Sequence, residues 1–256
     1  MELNTKTILK FALIAVVAYA SRPLSDAIVS YFKSTVVETK SVESSKQLSQ
    51  ACVSGTISDH DYVDLGLSVK WAICNVGASS FTDYGDYFAW GETEPKEDYS
   101  WKTYMWCNGG SETINKYRIS LDYVFVLESL DDAATVNWGE KWRMPTIAEL
   151  KELKNECEWE WNTINGVNGY KITAKNNNWI FLPAAGSRYG TSSYEVGSGG
   201  SYWSSSVSKS FRDRAYGLYF GSSGKYTDYS YYRTNGRTVR PVIYVNDNVD
   251  VDDNVD

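Results

Sequence analysis

The side chains able to do chemistry are few. The chain has one histidine, His60, and four cysteines, Cys52, Cys74, Cys107 and Cys157. One histidine cannot furnish a HExxH metal pair or a multi-histidine zinc cluster, and any Ser-His-Asp triad has to run through His60. The cysteines stand too far apart for a CxxC pattern, which excludes a zinc ribbon and a thioredoxin-type centre. Glu158 and Glu160, beside Trp159 and Trp161, have the residue types of a glycosidase acid pair next to sugar-stacking rings. Two residues apart, they diverge on a helix and share a face at ordinary spacing on a strand, so they read as solvated carboxylates near core tryptophans. The acidic run 246–256 lacks the glycine and the terminal glutamate of an EF-hand loop and reads as a solvated, disordered tail. No metal site and no cofactor is expected.

A different chemistry is written into the last third. From Arg188 to Tyr232 the chain is dominated by Tyr, Ser, Gly, Asp, Thr and Arg. The stretch from Lys225 to Arg233 has a paratope-like composition, in which tyrosine gives large amphipathic contact area at low rotamer cost and serine and glycine adapt. Tyr229 and Tyr231 share one strand face, Tyr226 and Tyr232 the other, and both faces carry Tyr, Asp, Ser or Thr. A buried strand would be apolar on at least one face, so the segment reads as an exposed loop. Trp203, Tyr226, Tyr229, Tyr231, Tyr232 and Arg233 are the candidate ligand contacts, stacking on sugar or meeting a protein partner. Trp203 also has a second reading, as part of a packed core motif. The alternative for the whole segment is a glycine-rich strand-turn-strand with surface tyrosines.

These residues have to be positioned by a chain of 256 residues that is 43% hydrophobic, with 10 Trp, 20 Tyr and a mean hydropathy of −0.39. That is enough for one large or two small cored domains and excludes collagen, full disorder and a multi-span membrane protein. A net charge of −7 and a pI near 4.9 argue against a nonspecific grip on nucleic acid or anionic lipid. Lys6 and Lys10 precede the apolar run 11–20, which falls short of the ~20 residues of a membrane span, and Ala18-Tyr19-Ala20 fits a small-x-small cleavage site. Residues 1–20 therefore read as a signal peptide or signal anchor, the alternative being a buried N-terminal helix.

Residues 21–60 read as a stalk. Ser25 can cap a helix on which Leu24, Ile28, Phe32 and Val36 form one apolar stripe, which packs on its own domain, self-associates, or lies against a membrane or partner. An aperiodic linker runs from about 38 to 60. The globular domain is placed at 61–245. Residues 62–71 alternate strictly and predict a half-buried strand, as do 85–90, 169–173, 179–182, 201–204, 215–220 and 237–244. Thr146 and Glu149 form a capping box opening a helix with Ile147, Leu150, Leu153 and Cys157 on one face, and a short helix is expected near 130–136. The fold class is α+β, a loop-rich domain with short strands and about two helices. If the chain is exported, Cys107 and Cys157, each beside a tryptophan, are the pair expected to form a disulfide; the alternative is buried reduced thiols.

Residues 62–72, 74–78, 87–92, 132–134, Trp142-Arg143-Met144-Pro145-Thr146, Phe181 to Gly186, Tyr202 to Ser206 and Val239 to Val242 together resemble the Fibrobacter succinogenes major paralogous domain. The resemblance covers about residues 61–243. It implies a C-type-lectin-like fold, related to formylglycine-generating enzymes, with paired first and last strands and a ligand face built from the late loops. It also implies an exported protein of Bacteroidetes-type bacteria or their phages, at the cell envelope or surface, the alternatives being secretion or a virion. The enzyme relatives need cysteines late in the domain, and none follows Cys157, so no enzyme activity is expected. The lectin-type calcium motif departs at Lys96, an ammonium after Glu94-Pro95 where an oxygen ligand is needed. Retroelement-diversified proteins of this fold vary at a similar late position. The expected function is thus a surface adhesin for a protein or carbohydrate ligand; the alternative is a structural subunit of a fimbria- or tail-like assembly.

Overall fold

The computed structural model describes residues 53–118, 122 and 124–244. The expected signal segment, the stripe of Leu24, Ile28, Phe32 and Val36, Cys52 and the acidic tail lie outside the described residues.

The chain is α+β and rich in loops, its strands grouped in small antiparallel sheets. β1 (Gly55–Ile57), β2 (His60–Val63) and β3 (Lys70–Ala72) form a meander, and β13 (Val242–Ile243) pairs antiparallel with β3, Val242 opposite Trp71. The last strand thus joins the sheet of the N-terminal meander, but beside its third strand; β1 lies at the opposite edge, so the expected pairing of first and last strands is not what forms. Strand structure begins at Gly55, inside the stretch read from sequence as linker.

The single strand expected over 62–71 is instead two strands joined by a reversal. Asp64 accepts from the Gly66 amide, which has φ +67°, and forms an ion pair with Lys70; the side-chain amides of Asn176 and Asn178 donate to the Asp64 carbonyl. Val63, Leu65, Val69 and Trp71 all still point into one core. Strict alternation marked which side chains are buried, not a continuous strand.

β4 (Glu158–Ile164), β5 (Val167–Thr173) and β6 (Trp179–Pro183) form a second meander. On β4 the carboxylates of Glu158 and Glu160 face solvent while Trp159 and Trp161 pack edge-on against Tyr170 and Phe220. β7 (Ser187–Tyr189) and β8 (Ser192–Tyr194) make a hairpin. β9 (Gly199–Val207) and β10 (Arg214–Gly221) carry the late sheet, with β11 (Gly224–Tyr226) and β12 (Ser230–Tyr232) along the far side of β10. The strand expected at 85–90 is absent and that at 237–244 shrinks to β13. Phe88 and Arg237 exchange two backbone hydrogen bonds as an isolated bridge, and positive φ at Gly85 and Gly91 turns the chain away on either side.

The helices α1 and α2 form for local reasons. At α1 (Ala133–Trp138) the buried Asp132 carboxylate accepts from the amides of Ala134 and Thr135, and from Met144 across the following loop. At α2 (Ile147–Glu156) the reciprocal Thr146–Glu149 capping box is present, reinforced by Arg143 on Glu149 and by Ser206 Oγ accepting from Ile147. Every residue of β9 is buried, with Tyr202 in one core and Trp203 in the other; Trp71 and Ala72, and Val242 and Ile243, divide the same way. The central strands thus have two dry faces, which fixes their register tightly.

Candidate functional site

The late segment is built on β10. Its Leu218 and Phe220 point into the first core, so Tyr219 between them points the other way. β11 pairs with the end of β10, Tyr226 opposite Tyr219, and β12 pairs with its start, Tyr231 opposite Ala215 and Ser230 opposite Tyr216. Between the two the register slips by one residue, so Thr227, Asp228 and Tyr229 face only Gly217 and Leu218. This is a β-bulge. On the opposite edge of β10 the pairing with β9 also shifts register between Ala215 and Gly217, and glycine is needed there because a Cβ on Gly217 would lie 2.5 Å from the Tyr202 carbonyl oxygen. Asp228 ties the bulge to α2 through Lys151 and Lys154, at 3.2 and 3.7 Å.

The expected exposed loop is therefore a bulged edge strand, and the bulge sorts its side chains. Thr227 turns in and is buried, whereas Tyr229 turns out and is 59% exposed. Tyr226 is 43% exposed; its ring stacks on Tyr219 at 6.3 Å and meets Tyr229 edge-on at 5.9 Å. These three rings form one cluster. Tyr232 is 41% exposed but belongs elsewhere, edge-on to Trp101 at 6.2 Å and under the Arg214 guanidinium at 4.8 Å. Tyr231 is half-buried against the second core.

Two of the six expected contacts are corrected. Trp203 lies wholly inside, its indole N–H donating to the Phe88 carbonyl at 2.8 Å, because both faces of β9 are covered. Arg233 is equally buried, donating to the carbonyls of Lys116 and Tyr117 at 3.0 and 2.9 Å with its guanidinium over Trp90 at 4.9 Å. It clamps the 116–117 loop to the late sheet and cannot meet a ligand. The expected Cys107–Cys157 disulfide is also corrected. Both are free thiols: Cys157 ends α2 on the first core, while Cys107 packs among Trp101 and Tyr104 in a separate cluster.

Sequence reasoning missed Tyr219, Glu195 and Arg237. The first was legible in the alternation of Leu218, Tyr219 and Phe220. Glu195, in the turn between β8 and β9 with φ +57°, accepts from the Tyr219 hydroxyl at 3.2 Å. Arg237 brings its guanidinium against both Trp203 and Tyr231, 5.0 and 3.5 Å from the ring centres. Burial lowers its pKa to about 10, so it stays charged at neutral pH. Only its place in a segment bridged to Phe88 and, through Thr238, to Tyr202 of β9 explains it, and no sequence pattern signals that.

No protein-family model, curated protein or solved structure matches the chain. The reading of the site therefore rests on its own geometry. Among the described residues, no three His, Cys, Asp or Glu side chains gather into a metal-ligand set, and no helix is long and apolar enough to cross a membrane. What the late sheet can offer a ligand is a ridge of phenol rings with a cation behind it. Such rings present flat apolar faces and hydrogen-bonding tips, both of which can contact a ligand.

Proposed function

We propose that this is a non-enzymatic, exported binding protein that recognises a protein or glycan at a cell surface through the ridge of Tyr219, Tyr226 and Tyr229. The observation that carries the reading is the bulge between β11 and β12. It spends no apolar burial on Tyr229, holding a large ring in solvent on a rigid sheet whose central strands are locked on both faces. Rings exposed on rigid elements bind with little ordering cost. The resemblance to the major paralogous domain supports the same reading, as does the return of the last strand to the N-terminal sheet, where β13 lies beside β3. Export rests on the small-x-small pattern at Ala18-Tyr19-Ala20, and display on the stretch from 21 to the start of β1 at Gly55, read as a stalk.

The test is a binding screen of the full chain on glycan and surface-protein arrays, repeated with a Tyr226→Ala, Tyr229→Ala double variant. Hits retained by the wild type and lost by the variant support the reading. Hits indifferent to the substitutions place recognition on another surface. Cell fractionation of the native host should recover the protein in the envelope or medium; a cytosolic protein beginning at Met1 contradicts export.

A further inference from the structure

The late region carries an unspent positive charge. Between residues 187 and 244 stand eight Lys and Arg against three Asp and Glu, in a chain whose net charge is −7. Three arginines in this region are buried, and their partners differ. Arg240 donates to the carbonyls of Ala72, Ile73 and Phe181 and to Asn75 Oδ1, and Arg233 to those of Lys116 and Tyr117. Arg237 is only 4% exposed, yet its Nε and one terminal nitrogen have no acceptor, and among the described residues no carboxylate forms an ion pair with it. The Nε atoms of Arg188 and Arg214 are likewise buried without an acceptor. Each of the three guanidiniums lies on an aromatic ring: Arg188 on Tyr99, Arg214 on Tyr232 and Arg237 on Tyr231.

A buried guanidinium short of acceptors is costly, because its five donors lose water without replacement. The ring above Arg237 belongs to Tyr231, on a three-residue edge strand, so the covered donors lie directly behind the exposed ridge. Tyr219 and Glu195 are within electrostatic reach of the same guanidinium. Glu195 is already engaged by the Tyr219 hydroxyl. The forked geometry of arginine matches a carboxylate, and the ridge rings match the C–H faces of sugars. Among the described residues the large side chains exposed along β8, β11 and β12 are the tyrosines Tyr194, Tyr226 and Tyr232, each of which offers a sugar a flat apolar ring face and a hydroxyl at its tip.

We propose that the ridge binds an acidic polysaccharide, a uronate carboxylate accepting from Arg237 as the Tyr231 ring swings aside, with adjoining sugars lying on Tyr226 and Tyr229. This deepens the binding function proposed above and rests on it. Arg188, whose backbone bridges Gly236 next to Arg237 and whose guanidinium has, among the described residues, only a long polar contact with the exposed Glu97 carboxylate at 3.7 Å and a 3.4 Å bond to its carbonyl, is a second cation on the rim for the following uronate.

The experiment is titration calorimetry of the full chain with oligogalacturonate, oligoglucuronate and oligomannuronate, with neutral oligosaccharides of equal length and with single-stranded DNA. At least one uronate series should bind at least about tenfold more tightly than its neutral counterpart and than DNA, and more weakly as salt rises. Arg237→Gln, Arg188→Gln and the Tyr226→Ala, Tyr229→Ala double variant should each weaken that binding. If Arg237→Gln fails to fold, Arg188→Gln, at the rim, carries the same test. Absence of uronate binding overturns the proposal, as does equal affinity for neutral sugar or for DNA. Binding lost with the tyrosines but unchanged by the arginine substitutions overturns the acidic ligand and leaves the ridge standing. Uronate binding that needs the arginines and ignores the tyrosines overturns the ridge itself.

Discussion

The guanidinium of Arg237 lies 3.5 Å from the centre of the Tyr231 ring and 5.0 Å from that of Trp203. This stack is the boundary between interior and surface in the late sheet. Below it, Trp203 and Arg233 hold the fold; above it, Tyr226 and Tyr229 are free to touch something else.

That boundary makes a stability prediction. Trp203→Ala empties a site in the second core and should cost about 3–5 kcal/mol, and Arg233→Ala, which leaves two interior carbonyls without a donor, should cost about 2–4 kcal/mol. Tyr229→Ala, at an exposed position, should stay within about 0.5 kcal/mol. Urea unfolding of the three variants checks the ordering. A Trp203→Ala variant as stable as Tyr229→Ala would contradict the interior placement.

The sequence carried much of this arrangement, and the misses have physical causes. The Thr146–Glu149 capping box located α2 because capping is local chemistry. The alternation over 62–71 identified Val63, Leu65, Val69 and Trp71 as inward, but the reversal depends on Asn176 and Asn178 reaching Asp64 from far along the chain. At the candidate site, Tyr226 and Tyr229 were legible as surface rings from composition. Arg233 was misread because charged residues are rarely interior, and the carbonyls that accept from it come from residues 116 and 117. Trp203 was misread as a contact because one face of β9 is covered by segments from elsewhere in the chain.

His60 should report on acid stability. Its ring stacks on Trp138 with centres 3.7 Å apart, and burial lowers its pKa below 6.5 against the upward pull of Asp59 and Asp61. The folded state then resists a proton that the unfolded chain takes up. The stabilisation is complete above the unfolded pKa and is lost as pH falls through the lowered folded value. The melting-temperature advantage of wild type over His60→Gln should shrink between about pH 7.5 and about pH 5. An advantage that grows on acidification contradicts the direction of the shift.

The thiols should behave as separate, unpaired groups. Burial, with Glu152 and Glu156 nearby, pushes the Cys157 thiol up to about 11. Native protein at about pH 8 should alkylate at Cys157 far more slowly than a free cysteine does. Peptide mapping after alkylation in denaturant without reductant should find Cys107 and Cys157 both modified. A cross-linked peptide containing the two would contradict their placement in different clusters.

The most direct test of recognition by the tyrosine ridge is the affinity of the Tyr226→Ala, Tyr229→Ala double variant for a ligand identified with the wild-type chain, measured alongside its melting temperature. The account predicts a loss of roughly 1–3 kcal/mol in binding, about 5- to 150-fold, with the melting temperature within a few degrees of wild type. Unchanged affinity, or a variant that no longer folds, would contradict it.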